Sequence, residues 1–389
     1  MTTIPTPRPD VLDTVLDHID IPRSYYEKAT ARHKSLGNWL CRPESTLAGL
    51  DPHVSPQGSF RYGTVVRPLV STAEYDLDNV TTLQLDKTAL TQKQVKELYG
   101  AEIKSYAQAN GILAPVEEKH RCWRLRYADE VNFHLDTLPS LPEDQARIAW
   151  LCSQGVPPDL ASRAIAITDD RHPHYEQISS MLLSSNPRGF ARWFTQRARP
   201  AAEQRVRKLV EARAYATVDE VPPYEWKTPL QRSIQLLKRH RDVMFLNNPD
   251  QAPISMIITN LAAHAYEGQT DIGEALVQIV TTMPNFIRST RPRVPNPTDP
   301  SEDYADKWAR NPVLEDNFWA WHQQVTVDVG RLVAAPGQRR LEPTIKTMFD
   351  VDLTKDEVRT LEPPPTSHRV VVAAPSVVIA SPPRPWGNA

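Results

Sequence analysis

Gln57-Gly58-Ser59-Phe60-Arg61-Tyr62-Gly63-Thr64, then Glu74-Tyr75-Asp76-Leu77-Asp78, then Phe133-His134-Leu135-Asp136-Thr137: the fold turns on these three stretches. Tyr75 to Leu83 alternates in polarity and ends in the β-branched run Val80-Thr81-Thr82, which predicts a strand. Alternate side chains of a strand share a face, so Asp76 and Asp78 point the same way, roughly 7 Å apart. Val131 to Leu138 predicts another strand, with Asp136 at its end among apolar neighbours. A buried, unpaired carboxylate is costly there, which favours a metal or another charged partner. Magnesium takes oxygen ligands and keeps substrate phosphates in its shell. Two such ions roughly 4 Å apart stabilise the attacking and leaving oxygens of phosphoryl transfer. Asp76, Asp78 and Asp136 are therefore the candidate metal ligands and catalytic carboxylates. Gly58 lets backbone approach a phosphate, Ser59 adds a hydroxyl donor, and a turn entering a helix makes an anion site. Taken singly, Asp-x-Asp and Gly-Ser are most often ordinary turns; their order and spacing carry the inference.

Outward from this motif, Ser24 to Leu40 reads as a helix capped by Ser24, and Thr91 to Asn110 as an amphipathic helix. Trp123 to Tyr127 and Val131 to Leu138 read as a hairpin joined at Ala128-Asp129-Glu130. After Pro142 the pattern turns helical: Phe190 to Gln196, Ala202 to Tyr215, Leu230 to Phe245, Ile254 to Ala265, Ile272 to Arg288 and Leu314 to Ala334. A mixed α+β first half and a helical second half predict two lobes with a cleft between them.

The 389 residues are 40% hydrophobic and 24% charged, which fits a soluble globular protein with a sizeable core. The net charge of −2 argues against strong sequence-independent attraction to nucleic acid. Cys41, Cys122 and Cys152 are odd in number and widely spaced, so neither a disulfide framework nor a zinc site is expected. Met1 to Asp10 has no apolar core of a signal peptide, and no apolar run approaches the length of a membrane span. A cytoplasmic protein with no membrane partner is the expectation.

Gly58-Ser59 with Asp76-x-Asp78 and Asp136 resembles the polymerase β-like nucleotidyltransferase superfamily. The fuller pattern from Gln57 to Thr64 and from Glu74 to Asp78 is similar to the bacterial cGAS/DncV-like nucleotidyltransferases, or CD-NTases, of CBASS anti-phage systems. Thr228 to Asp242 is similar to the helix that family places over its cleft, and Pro253 to Thr259 to the next helix start. The resemblance implies a nucleotidyltransferase core with a mixed sheet over residues 1–187, including the N-terminal helix. It further implies a helical, oligoadenylate-synthase-like lobe over 188–360. It also implies synthesis of a cyclic di- or trinucleotide second messenger from ATP, GTP or other NTPs with two Mg2+ ions, Mn2+ being an alternative. Gln57, Gly58, Ser59, Lys238 and Ser255 match positions for the nucleotide; a lysine brings a point charge to a polyanion. A downstream effector would be reached through the messenger. An RNA-tailing or small-molecule nucleotidyltransferase on the same core is the alternative, and a binding module with a dead site a third reading.

The animal DNA sensor of this superfamily carries a His/Cys zinc cluster that this chain lacks, so sensing of double-stranded DNA is not expected. His172-Pro173-His174 reads as a loop. The arginines between Arg188 and Arg213 read as a solvated helix face, and Trp193, Trp226, Trp308, Trp319 and Trp321 mainly as core. Residues 361–389, rich in proline, read as a flexible polyproline-like tail. An exposed end at Ala389 is what an E1/E2-like conjugating enzyme would need.

Overall fold

In the computed structural model, which describes residues 9–70, 73–127, 133–198, 227–334 and 341–361, the chain opens with α1 (Pro9–Ile19) and α2 (Arg23–Leu40). The sheet begins with β1 (His53–Gln57), passes through the one-turn α3 (Gly58–Tyr62) and returns along β2 (Tyr75–Thr82). Then come α4 (Gln92–Ala109), β3 (Glu117–Glu118), β4 (Trp123–Tyr127) and β5 (Phe133–Pro142). Short α5 (Gln145–Ser153), α6 (Pro158–Ala161), β6 (Ile165–Ile167) and β7 (Leu183–Ser185) lead to α7 (Pro187–Ala198). The second half comprises α8 (Pro229–Met244), α9 (Ser255–Ala265), α10 (Ile272–Thr282), the hairpin β8 (Pro295–Asn296) and β9 (Asp299–Asp303), α11 (Val313–Ala334), α12 (Leu341–Phe349) and α13 (Lys355–Leu361).

The sheet order is β1-β2-β5-β4-β3, with β6 on the far end of β5 and β7 beside it. β2 and β5 run parallel; their neighbours pair antiparallel. A parallel pair needs a long crossover, and α4 with the β3–β4 segment supplies it. Thr91 caps α4 through a reciprocal capping box with Gln94, which fixes where the helix starts. Alternation then sorts the sheet. Tyr75, Leu77, Trp123, Leu125, Phe133 and Leu135 bury one face against α2 and α4, where Tyr99 shares hydrogen bonds with the Thr81 and Thr137 hydroxyls. The polar alternates of β2, β4 and β5 are left on the opposite face.

A second apolar core gathers α7 to α12 and also α1, whose Val11, Leu12, Val15, Leu16 and Ile19 form one helical stripe. Asp20, in the joint between α1 and α2, accepts hydrogen bonds from Arg232 Nη1 at 3.1 Å and Gln235 Nε2 at 3.0 Å and from Lys227. The single turn of α3 straddles both cores: Phe60 packs in the sheet's core, Tyr62 against Phe190 and Phe194 in the other.

Several expectations need correction. Pro22, not Ser24, precedes the first turn of α2, and no side chain caps it; the fixed φ of proline preorganises the entry instead. The Ile272 helix stops at Thr282 because Pro284 has no N–H to continue it, and a tight turn over Met283–Phe286 follows. The strands β6 to β9 interrupt the half read as helical, each too short to show periodicity. The helix α1 was not expected. The helix read over 202–215, the turn at 128–130 and the tail at 362–389 lie outside the described residues. Arg192 pairs with Asp159, and Arg197 caps carbonyls at the end of α9, so these two arginines are structural. Trp308 and Trp321 are buried as expected, whereas Trp319 is exposed. The three cysteines are free thiols, and His172 accepts from Gln92 within a loop. No helix among the described residues is long and apolar enough to cross a membrane.

Because α1 is integral to the second core, Leu16→Ala should cost about 2–5 kcal/mol in denaturant unfolding. A loss near zero would mean that α1 is peripheral.

Candidate active site

Register places the carboxylates. Asp78 stands opposite Asp136 and Asp76 opposite His134 across the parallel pair, while Gln57 stands opposite Asp78 from β1. All project from the sheet face that the α2–α4 core leaves bare. Gly58 begins α3 at φ 66°, a left-handed conformation that favours glycine. A Cβ there would lie 2.2 Å from Asp78 Oδ2, so glycine is needed twice over, for its backbone and for the space. The Ser59 side chain is half-buried on this turn.

Each carboxylate is held differently. Asp136 accepts a bidentate pair from Arg124, Nε to Oδ1 at 2.7 Å and Nη2 to Oδ2 at 2.7 Å. Asp76 is the exposed one, and its Oδ1 lies 2.9 Å from His134 Nε2. Asp78 stands opposite Asp136 and against Gly58. Burial first, and then the charges of Asp76 and Asp136, push its carboxyl up from the usual range to about 8. Three acids on one face with one of them forced to keep its proton form a site short of positive charge. Asp76, His134 and Asp136 each offer a ligand atom within 4.8 Å of one another. The oxygen-rich set suits a hard divalent cation.

The segment after α3 is clamped from the second lobe. Along α8, Gln231 Nε2 donates to the Tyr62 carbonyl at 2.7 Å, Lys238 Nζ to Thr64 at 2.8 Å, Gln235 Nε2 to Val65 at 2.7 Å, and Arg239 Nη2 to Arg67 at 2.5 Å. Gly63, also at φ 66°, lets Gln231 approach: a Cβ would meet its Nε2 at 2.6 Å. Thr228 starts α8 with a capping box to Gln231 and Pro229 in the first turn. Lys238 is buried, and desolvation, then Arg241, lowers its amine to about 8. Ser255 opens α9 and accepts from Arg241 Nη2 at 3.2 Å; it is tied to α8 rather than to the carboxylates.

Residues 52–139 match the nucleotidyltransferase domain described as cyclic GMP-AMP synthase DncV-like. A c-di-GMP synthase of Roseivirga ehrenbergii is 29% identical over 347 residues, covering 88% of this chain and 84% of that protein. The chain is a nucleotidyltransferase. The cyclic dinucleotide synthase CdnG of Bradyrhizobium diazoefficiens is 26% identical over 340 residues, covering 80% and 74%. The solved structure of the CD-NTase CdnG from that organism in complex with GTP shares the fold, with a TM-score of 0.65 at 22% identity, covering 90% of this chain and 97% of that one. Vibrio cholerae DncV in complex with the linear intermediate pppA(3′,5′)pG does so at a TM-score of 0.56 and 14% identity, covering 87% and 94%.

The sequence alone assigned no role to Arg124, His134, Glu74 and Gln235. The signal for the first two was present: Arg124 and Arg126 alternate on β4 in register with Asp136 and His134 on β5. Gln235 had none, because its partners, the Asp20 carboxylate and the Val65 carbonyl, are distant in sequence.

The raised Asp78 has a consequence for stability. Between about 4 and about 8 the folded, metal-free protein holds a proton on Asp78 that the unfolded chain has released. Stability therefore falls as pH rises through that window. Thermal melts in chelator should show this slope, Asp78→Asn should flatten it, and Mg2+ should offset it. An equal slope in Asp78→Asn would exclude Asp78 as its source.

Proposed function

We propose that this protein joins GTP, or GTP with another NTP, into a cyclic di- or trinucleotide second messenger, releasing pyrophosphate at each step. The observation that carries this reading is the convergence of Asp76, Asp78 and Asp136 beside the Gly58-Ser59 turn. The curated relatives, one a c-di-GMP synthase, and a solved neighbour in complex with GTP favour guanosine triphosphate as substrate and a cyclic dinucleotide as product.

Residues 1–187 form the nucleotidyltransferase core in this account, and 188–360 the lobe that closes the cleft, with α1 lending its apolar stripe to the latter. The Gly58 backbone and the Ser59 hydroxyl bind the donor phosphates. Gln57 orients the turn from the end of β1. Lys238 and Ser255 contribute a cation and a donor from the second lobe once the triphosphate enters. Asp76, Asp78 and Asp136 would hold two Mg2+ ions, which supply positive charge to the phosphate under attack and to the departing pyrophosphate. Asp136 receives the proton of the attacking ribose hydroxyl; the new P–O bond forms at the α-phosphate as the bond to pyrophosphate breaks. The linear product then turns over in the cleft, and a second attack closes the ring. Catalysis comes from positioning and charge. In a CBASS setting the messenger would reach a separate effector in anti-phage defence, and an E1/E2-like enzyme would act on Ala389.

Purified protein incubated with the four NTPs and Mg2+, followed by phosphatase treatment and mass spectrometry, should yield a resistant cyclic species containing guanine. The double variant Asp76→Ala, Asp78→Ala should abolish it while remaining folded by circular dichroism. Product in that variant would refute the site. Extension only of added RNA would favour the tailing reading instead.

A further inference from the structure

Asp76 is the carboxylate that packing does not fix. Its side chain is 57% exposed, whereas Asp136 is locked by Arg124 and Asp78 is walled by Gly58. What fixes Asp76 is a relay of polar contacts. Its Oδ1 meets His134 Nε2 at 2.9 Å, and His134 Nδ1 meets Glu74 Oε2 at 2.8 Å. Glu74 Oε1 accepts from Arg126 Nη1 at 2.9 Å, and Arg126 Nε donates to Glu117 Oε1 at 2.6 Å. His134 itself is only 13% exposed, so its ring cannot swing freely. We propose that His134 is a positioning residue for the metal site: gripped by Glu74, it holds Asp76 Oδ1 and so presents the second carboxylate oxygen of Asp76 to the cation.

The geometry separates this from a role as a metal ligand. A ligating imidazole must offer a bare nitrogen lone pair, but both ring nitrogens of His134 already lie within hydrogen-bond distance of carboxylate oxygens, Nε2 of Asp76 and Nδ1 of Glu74. The arrangement is the carboxylate–histidine support that commonly orients metal ligands, with a carboxylate in place of the metal at the far end of the ring. Register makes it specific. His134 lies directly opposite Asp76 on β2 and opposite Arg126 on β4, so the relay crosses three strands at one level while the Arg124–Asp136 pair crosses at the next.

The inference rests on the reading of Asp76 as a cation ligand, and the test keeps the two apart. The probe is Mn2+ alone, titrated by the loss of its free electron paramagnetic resonance signal, with folding checked by circular dichroism. His134→Ala should weaken Mn2+ binding about 10–100-fold. His134→Gln, which keeps a donor toward Asp76, should recover part of the loss. Glu74→Gln should weaken binding in the same direction and by less, and it serves if His134→Ala does not fold. Nitrogen modulation from an imidazole should be absent in the bound wild-type spectrum. Wild-type affinity in His134→Ala together with a loss in Asp76→Asn would overturn the positioning role and leave the metal site standing. Wild-type affinity in Asp76→Asn would overturn the reading beneath both, and imidazole modulation would make His134 a ligand instead.

Discussion

The parallel pairing of β2 with β5 is the constraint from which the active face follows. It sets Asp78 against Asp136 and Asp76 against His134, and it puts apolar Leu77 and Leu135 together on the other side. One register slip would turn the acids into the core and the leucines into the cleft. Correct pairing brings like charges together, and that repulsion is held in check locally. Arg124 and His134 lie against Asp136 and Asp76, and burial with these two neighbouring charges raises the Asp78 carboxyl. The apolar core of α2, α4 and the sheet makes this tolerable, since it fixes the strands from the opposite face.

The second half of the chain grips the segment that follows the Gly58-Ser59 turn. Four side chains of α8 reach carbonyls between Tyr62 and Arg67, directly after the Gly58-Ser59 turn. A buried carbonyl left without its donor costs about 1–3 kcal/mol, so this comb strongly disfavours separation of the lobes at that point. Asp20 ties the same helix to the α1–α2 joint. The segment that starts at the Gly58-Ser59 turn is thus fixed by strands on one side and by a helix of the other lobe on the other side. Lys238 belongs to the same comb through the Thr64 carbonyl.

Elements with strong local signals were legible in the sequence. β2 showed its alternation, α4 its Thr91 start, and α8 its helical pattern from Leu230 to Phe245. The acids were legible for the same reason: Asp76 and Asp78 share a face of any strand, whatever its neighbours. What holds them was not, because Arg124 meets Asp136 and His134 meets Asp76 only after strand order and register are known. The stripe of α1 is present at helical spacing but follows a proline-rich start that reads as irregular chain. β6 to β9 are two to five residues long and owe their form to the strand beside them. The carbonyls of Tyr62 and Val65 that Gln231 and Gln235 reach are marked by no residue pattern.

The central claim is that the β2–β5 register builds a cation site for nucleotidyl transfer. Its most direct test is a crystal structure with Mn2+ and a nonhydrolysable GTP analogue, measured at the manganese absorption edge. The account predicts anomalous peaks bounded by Asp76, Asp78 and Asp136, with the analogue's phosphates on the Gly58-Ser59 turn. Bound analogue on that turn with no manganese at the three carboxylates would contradict it.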